Sequence, residues 1–150
     1  MNKPTIHATA VVIGEFGILI RGASGTGKTS LAFALAEAAH RDGVYAAFIA
    51  DDRVGLTAAN GRLLAHCPDT IAGLAERRGH GIEKVKYVPK AVIRLVVDMI
   101  NPERVTRLPE EAERETKIAG LKLPRQAIPA GQPAISLPLL RARISEMNKI

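Results

Sequence analysis

The sequence predicts an α/β protein in which a short apolar strand enters a phosphate-binding loop and a buried helix leaves it. The loop is the strongest observation, because residues 22–29 read GASGTGKT and satisfy the pattern G-x-x-x-x-G-K-[ST]. Residues 17–20 before it are apolar and rich in isoleucine, which favours a strand. Residues 29–40 after it are rich in Leu and Ala with almost no β-branching, which favours a buried helix. With 150 residues and a hydrophobic fraction of 47%, the chain is expected to form one domain over residues 1–150.

The elements on either side of this unit follow from local patterns. Residues 9–13 are a second short apolar run, which predicts either a hairpin with residues 17–20 or two neighbouring strands. After the predicted helix, Asp42-Gly43 predicts a turn, and residues 44–50 predict a buried strand. The pair Asn60-Gly61 is a strong hairpin signal and predicts that residues 53–57 and 62–66 pair with each other.

The second half of the chain gives weaker patterns. Residues 69–75 predict a short helix, Gly79 and Gly81 predict a loop, and the apolar residues 91–100 predict another buried strand. The rest divides into a charge-rich surface connection with some helix, a proline-rich extended or loop segment, and a short terminal helix, at residues 101–117, 124–138 and 139–150 respectively. Pattern alone favours a parallel sheet for this alternation of strands and helices.

Composition limits the class of partner. The formal net charge of +6 fits a partner that carries phosphates or an acidic protein face, although a solvated basic surface would give the same value. Trp is absent and aromatics are only 3%, so no stacking platform for nucleic acid is expected. The single cysteine, Cys67, excludes an intrachain disulfide, and no apolar run reaches the length of a membrane span. Without a signal-peptide pattern at the N-terminus, we expect a cytoplasmic protein with no membrane partner.

The glycine-rich loop predicts a site for ATP with Mg²⁺. Its glycines let the backbone N–H groups surround a phosphate chain, the lysine reaches the β- and γ-phosphates, and the final hydroxyl binds the metal. The N-terminus of the following helix adds its own attraction for anions. The predicted nucleotide-binding residues are Gly22, Ala23, Ser24, Gly25, Thr26, Gly27, Lys28 and Thr29.

Two adjacent carboxylates, Asp51 and Asp52, end the predicted strand of residues 44–50. Carboxylates at the carboxyl end of a buried strand lie at the sheet edge where open α/β folds bind ligands. One of them would hold Mg²⁺ and the other would accept a proton from an attacking hydroxyl, and spacing does not decide which is which. The structural alternative is an acidic pair that begins a turn before Arg53.

A charged, glycine-flanked segment follows at residues 76–81, which read ERRGHG. Guanidinium groups neutralise the charge that develops on a transferred phosphoryl group, so Arg77 and Arg78 are candidates for that role. A solvated run of charges is the competing interpretation. His7 and His80 considered singly are more typical of surface or core histidines than of catalytic ones.

The order and spacing of these residues resemble the catalytic C-terminal domain of the HPr kinase/phosphorylase family, bacterial enzymes that act on a serine of the phosphocarrier protein HPr. His7 lies where the family has a histidine ahead of its loop, and Ala50-Asp51-Asp52 matches the family's Ala-Asp-Asp. Residues 76–82 are similar to its signature Glu-Ile-Arg-Gly-Leu-Gly-Ile, and Arg107-Leu108 lies where the family carries a catalytic arginine. The family's N-terminal domain is expected to be absent.

The resemblance implies a role for each matched residue. Asp52 would be the general base for the serine hydroxyl, and His7 would support it. The phosphate charge would be borne by Lys28, Arg78 and Arg107. The metal would be held by Thr29 and Glu76, with Asp51 as the further candidate ligand. The family fold, a mixed sheet related to that of phosphoenolpyruvate carboxykinase, and assembly into a hexamer are implied as well.

The family also carries out phosphorolysis, in which inorganic phosphate attacks phosphoserine and gives pyrophosphate. The proline-glycine-arginine stretch linked to that reaction is reduced here to residues 129–133, PAGQP, without its arginine. We therefore expect an ATP- and Mg²⁺-dependent serine kinase of a phosphotransferase system with weak or missing phosphorylase activity. The alternatives are a catalytically silent ATP-sensing module and, with less support, a nucleic-acid-dependent ATPase or a small-molecule kinase, neither of which explains the match at residues 76–82.

Overall fold

A mixed β-sheet of nine strands and two α-helices build the fold in the computed structural model, which describes residues 5–148. A separate two-stranded sheet, β7–β8, stands beside it. In chain order the elements are β1 (Thr5–Ile6), β2 (Ala8–Ile13), β3 (Phe16–Arg21), α1 (Lys28–Arg41), β4 (Ala46–Ala50), β5 (Val54–Ala59), β6 (Arg62–His66), β7 (Leu74–Arg77), β8 (Gly81–Lys84), β9 (Lys90–Ile100), β10 (Glu115–Ile118), β11 (Leu121–Pro129) and α2 (Pro133–Met147).

Strand β9 organises the sheet, whose order is β1-β5-β6-β9-β3-β2-β4. One edge of β9 pairs in parallel with β3. Its other edge pairs first with β6, in antiparallel fashion up to Ile93, and then with β11, in parallel fashion from Val96 onwards. Because β3, β9 and β11 run in the same direction, their carboxyl ends meet at one edge of the sheet, and the glycine-rich loop follows β3 at that edge.

The two faces of the curled sheet carry separate apolar cores. Helices α1 and α2 cover one face, where Phe33 of α1 packs edge-on against Phe48 of β4 with ring centroids 5.0 Å apart. On the opposite face, Ile49 of the edge strand β4 and Leu63 of β6 belong to one cluster although three strands separate them in the sheet, so the sheet is curled around this core. Phe16 is also buried, and the rest of the core is mainly aliphatic, as the scarcity of aromatic residues requires.

Most of the predicted elements are confirmed. Strands β2 and β3 form the expected hairpin, α1 extends the predicted helix by one residue at each end, and β9 begins one residue early. Strand β4 starts two residues later than predicted. The β5–β6 hairpin turns through Asn60 at φ 52° and Gly61 at φ 75°, left-handed conformations that this residue pair tolerates.

Three predictions from pattern are wrong or incomplete. The predicted helix of residues 69–75 is only a single 3₁₀ turn, Asp69–Ile71, and is followed by strand β7. The segment of residues 124–138 is extended only to Pro129, because α2 already begins at Pro133. Pro133 stands in the first turn, where a missing N–H costs no hydrogen bond. The sheet is mixed, as the resemblance implied, and not parallel; the last two residues of the predicted terminal helix lie outside the described part of the chain.

The connection between β9 and β10 has the predicted character. It contains two short 3₁₀ helices, Pro102–Arg104 and Glu111–Arg114, and most of its residues are exposed. The side chain of Asn101 accepts a hydrogen bond from Glu103 N at 3.0 Å and so caps the first of them. Across residues 5–148, neither helix combines the length and apolar character needed to cross a bilayer.

Candidate active site

The glycine-rich loop leaves β3 at Arg21 and enters α1 at Lys28. Gly27 has φ 97°, a left-handed conformation that side chains rarely adopt, and it forms the N-cap of the helix. Gly22 has no room for a side chain, because a Cβ there would lie 2.8 Å from the Thr26 hydroxyl and 3.1 Å from Met99 of β9. The loop conformation therefore requires glycine at both positions.

The N-terminus of α1 is free to attract an anion. No side chain caps it, and no acidic residue lies in its first turn. Its first N–H groups therefore lack intrahelical acceptors and carry the positive end of the helix dipole. A phosphate group is the ligand that such a strand-loop-helix arrangement binds best.

Lys28 is largely buried and points back towards the loop. Its ammonium group donates to the carbonyl oxygens of Gly22 at 2.9 Å and Ala23 at 3.2 Å, and lies 3.4 Å from His7 Nε2. Burial lowers the pKa of Lys28 below its ordinary value, and the nearby charges of Asp52 and Asp51 act in the opposite direction. A bound anion would favour the charged amine further, so the residue is well placed to hold phosphate.

Asp51 is the buried member of the acidic pair and is fully engaged by hydrogen bonds. Its Oδ1 accepts from the hydroxyls of Thr9 at 2.9 Å and Thr29 at 2.7 Å, and its Oδ2 accepts from the backbone N–H of Glu76 at 3.0 Å. Only 7% of the residue is exposed. Asp51 therefore joins β2, α1 and β7 at one point. The sequence pattern gave no signal that Thr9 would take part in this junction.

Asp52 is the accessible member of the pair. Its side chain is 68% exposed, and Oδ1 lies 3.0 Å from His7 Nδ1. The other ring nitrogen of His7 lies 3.2 Å from Ser24 Oγ, so the histidine joins Asp52 to the loop. Asp52 itself has φ 70°, a strained backbone for a residue with a side chain, which turns its carboxylate away from that of Asp51.

The β7–β8 hairpin supplies the remaining wall of the cleft. Glu76 and Arg78 both line it, together with residues of the loop and Asp52. The enclosed volume is about 270 Å³. The lining residues are His7, Thr9, Ser24, Gly25, Gly27, Lys28, Thr29, Ser30, Asp52, Glu76 and Arg78. All but one of the predicted catalytic residues therefore meet in this cleft.

Arg107 is the exception. It lies on the exposed connection between β9 and β10, outside the residues that line the cleft, and beside Leu108, which is 83% exposed. Within residues 5–148 its side chain makes no hydrogen bond or ion pair. The connection starts at the sheet edge that carries the loop, and a catalytic role for Arg107 would require this segment to approach the cleft.

A larger cavity of about 630 Å³ lies at the opposite end of α1. Apolar side chains such as Phe16 and Leu35 line it, with Arg94 and Arg141 among its polar members. It contains neither the glycine-rich loop nor the acidic pair. The smaller cleft is therefore the candidate active site, because it joins a phosphate-binding loop to an accessible carboxylate.

The donor set of the cleft suits magnesium. Among the described residues, no group of three or more His, Cys, Asp and Glu side chains could enclose a metal ion. The Thr29 hydroxyl and the Glu76 carboxylate are nevertheless hard oxygen donors among the residues that line the cleft. Mg²⁺ fits such a sparse set, because it retains water and takes further ligands from substrate phosphates.

The mixed sheet, the loop after β3 and the buried helix behind it define a P-loop NTPase-type α/β protein of the phosphoenolpyruvate carboxykinase-like kind. The model of the HPr Serine kinase C-terminal domain matches residues 1–137. The chain belongs to this family.

Individual relatives agree with this assignment. HPr kinase/phosphorylase of Geobacillus thermodenitrificans is 32% identical over 154 residues, which cover 95% of this chain and 47% of the relative. The enzyme of the same name from Xylella fastidiosa is 29% identical over 150 residues, with 94% and 44% covered. The Hpr(Ser) kinase/phosphatase structure from Coxiella burnetii has a TM-score of 0.78 at 27% identity and covers 97% of this chain and 99% of that one. The chain spans less than half the length of the curated relatives from Geobacillus and Xylella.

Proposed function

We propose that this chain is an ATP- and Mg²⁺-dependent serine kinase that phosphorylates an HPr-type phosphocarrier of a bacterial phosphotransferase system. The observation that carries the proposal is the accessible Asp52 carboxylate, held by His7 at 3.0 Å beside the glycine-rich loop. A general base must be reachable by the hydroxyl that it deprotonates, and Asp52 satisfies this where Asp51 does not. Family membership supports the kind of acceptor.

In the proposed reaction the acceptor serine attacks the γ-phosphorus of ATP. Its oxygen forms a new bond to phosphorus, the bond between phosphorus and the β–γ bridging oxygen breaks, and ADP leaves with that electron pair. Asp52 takes the hydroxyl proton, and Lys28 and Arg78 face the developing phosphate charge. Thr29 and Glu76 are positioned to hold Mg²⁺, which would neutralise phosphate charge when bound. In the reverse direction Asp52 would return the proton.

The remaining features of the proposal follow from family membership. We propose a cytoplasmic protein that assembles as a homo-oligomer, with the hexamer as the expected state. Inorganic phosphate and pyrophosphate are proposed as ligands of the reverse reaction only. No nucleic-acid or membrane partner is proposed.

A single assay tests the function. The purified chain is incubated with Mg²⁺-ATP and an HPr-type carrier from the same cell, and the carrier is examined by mass spectrometry. We expect one added phosphate on a serine and its loss with Lys28→Ala. A carrier that stays unmodified while ATP binding is intact would refute the kinase and favour the second candidate.

The second candidate is a catalytically silent module that binds ATP and reports its level. One observation favours it: Arg107 lies outside the cleft in this structure. A sensor does not need that arginine, whereas the resemblance gives it a catalytic role. The candidates separate with Asp52→Asn, which would abolish phosphoryl transfer by the kinase and leave a sensor unchanged.

A further inference from the structure

The β7–β8 hairpin lies outside the nine-stranded sheet. Its two strands pair with each other, and neither pairs with a strand of the nine-stranded sheet. Nevertheless, Glu76 of β7 and Arg78, which directly follows this strand, line the cleft together with residues of the loop. Whatever fixes the hairpin against α1 therefore also fixes these side chains relative to the bound phosphates.

Arg77 lies between those two residues and faces the other way. Alternation along a strand places residues 75 and 77 on the face opposite residues 76 and 78. Ala75 is accordingly buried in the core beneath α1. The Arg77 guanidinium lies 3.9 Å from the centre of the Phe33 ring, 3.3 Å from Glu37 Oε1 and 2.6 Å from Glu83 Oε2. One side chain thus joins both strands of the hairpin to the helix.

The helix residues that Arg77 contacts share a face with a predicted metal ligand. Phe33 and Glu37 follow Thr29 at successive i+4 positions, and residues at that spacing lie along one side of a helix. The attachment therefore runs along the side of α1 whose first turn carries the Thr29 hydroxyl. Displacing the hairpin along this side would change the distance between Glu76 and Thr29.

We propose that Arg77 is a positioning residue, which holds the β7–β8 hairpin against α1 so that Glu76 and Thr29 present their oxygens to one Mg²⁺–nucleotide complex. The inference rests on the proposed function only for the identity of the metal and the nucleotide. The family signature to which residues 76–82 are similar has isoleucine at this position. Arg77 makes ionic contacts with Glu37 and Glu83 that an isoleucine could not make.

The test measures Mg²⁺-dependent nucleotide binding, which does not require turnover. ATP is titrated by calorimetry at a series of Mg²⁺ concentrations, and also with chelator in place of the metal. With Arg77→Met, which keeps an apolar stem on Phe33, we expect the Mg²⁺ concentration at half-saturation to rise about 10-fold. Binding without metal, which depends on the loop, is expected to change less than about twofold.

Three further variants make the result specific. Arg77→Lys keeps the charge and loses the planar fork, so it should restore part of the Mg²⁺ dependence. Glu37→Gln removes the helix-side acid at an exposed site and should shift half-saturation in the same direction by a smaller factor. Arg62→Met, at an exposed arginine of β6 away from the cleft, is the matched control and should equal the wild type.

The outcomes separate the inference from the function beneath it. Folded Arg77→Met and Glu37→Gln proteins with wild-type Mg²⁺ half-saturation would overturn the positioning role. An equal weakening of ATP binding with and without Mg²⁺ would also overturn it, because the loop itself would then be damaged. A wild-type chain that binds Mg²⁺-ATP without phosphorylating the carrier would refute the proposed kinase and leave the role of Arg77 standing.

Discussion

Two neighbouring carboxylates have opposite surroundings in this protein. Asp51 is buried and accepts three hydrogen bonds, whereas the Asp52 side chain is exposed and lies beside His7. The sequence indicated that one of them would act as the base and left the choice open. Strand β4 ends at Ala50, and the chain then turns through Asp52, whose backbone is left-handed with φ 70°. No spacing rule expresses that geometry.

Replacing Asp52 by Asn should remove phosphoryl transfer and leave the fold intact. Asparagine is among the few residues that tolerate a φ of 70°, so the backbone at this position needs no change. Losing a general base typically costs about 10²- to 10⁴-fold in rate. We therefore expect kcat to fall by about that factor, while the KM for ATP and the midpoint of thermal unfolding stay close to wild type. Steady-state kinetics and calorimetry measure the two effects.

Asp51→Asn is the matched comparison. An amide has one oxygen and one nitrogen, so it cannot accept hydrogen bonds at both positions as the carboxylate does. At least one of the donors from Thr9, Thr29 and Glu76 therefore loses its partner. Leaving a buried donor without an acceptor costs about 1–3 kcal/mol of unfolding free energy. If Asp51→Asn retained full stability while Asp52→Asn lost it, the assignment of the two residues would be reversed.

At the scale of elements, the sequence predicted those whose pattern is local. The apolar runs of β2, β3 and β9 and the Leu- and Ala-rich α1 contain their own signals. Strand β7 does not, because its four residues, LAER, are mostly exposed and only Ala75 is buried. Its stability comes from pairing with β8 and from contacts with α1, which are invisible in a short window. The start of α2 gives no such signal either, because prolines usually interrupt a helix, whereas Pro133 stands in the first turn, where proline is tolerated.

The carboxyl ends of β3, β9 and β11 are held together by one ionic cluster. Asp98 of β9 accepts from Arg21 at 2.7 Å and 2.8 Å and from Arg125 of β11 at 2.6 Å. Arg125 also donates to the carbonyl of Glu113 at 2.9 Å, in the connection that carries Arg107. Burial alone would raise the pKa of Asp98, but the hydrogen bonds and charges of the two arginines outweigh it and lower the pKa.

Asp98→Asn should destabilise the protein by about 2 kcal/mol at neutral pH, below the full cost of breaking a buried pair because both guanidinium groups are partly exposed. The pKa of Asp98 is lower in the folded chain, so its stabilisation is present above the unfolded value of 3.8 and is lost as the pH falls through the folded value. The difference between wild type and variant should therefore shrink below pH 3.8. Urea unfolding at neutral and acid pH measures it.

An exposed ion pair between β10 and β11 provides the control for this prediction. Glu115 lies 3.1 Å from Lys122, with both side chains well exposed. Glu115→Gln should change the unfolding free energy by less than about 0.5 kcal/mol at any pH. A gap between wild type and Asp98→Asn that stays constant down to acid pH would show that Asp98 does not stabilise the fold as a carboxylate.

For the whole molecule, the sequence predicted the contents of the site better than its architecture. The loop, His7 and the acidic pair come together because each follows an element that ends at one side of the cleft. The pairing of β3 with β9 joins segments far apart in the chain, and the division of one β9 edge between β6 and β11 leaves no local trace. The mixed sheet was anticipated only through the resemblance. Arg107 shows the same limit. Its position along the chain matches that of the family's arginine, and yet it lies outside the residues that line the cleft.

We propose that the turn between β11 and α2 influences the balance between the forward and reverse reactions. This turn leaves the sheet at the edge that carries the loop, and Ala130 N donates to Ile100 O at 2.8 Å, which ties it to the end of β9. Gln132 forms the N-cap of α2 without a side-chain capping bond and follows Gly131, where the family's stretch would continue with arginine. A neutral side chain there offers no positive charge to an attacking phosphate anion.

We therefore expect this chain to phosphorylate its carrier and to perform phosphorolysis weakly or not at all. Forward transfer uses a neutral serine as nucleophile and is less affected by the missing charge, whereas the reverse reaction must bring inorganic phosphate against phosphoserine. Gln132→Arg should raise the rate of pyrophosphate formation by about 10-fold, the size of one favourable charge contact of about 1.4 kcal/mol, and change the forward rate far less. Both rates can be followed on one preparation, with ADP and pyrophosphate quantified separately. Equal forward and reverse rates in the unmodified chain would refute the argument, because the reverse reaction would then proceed fully without the arginine.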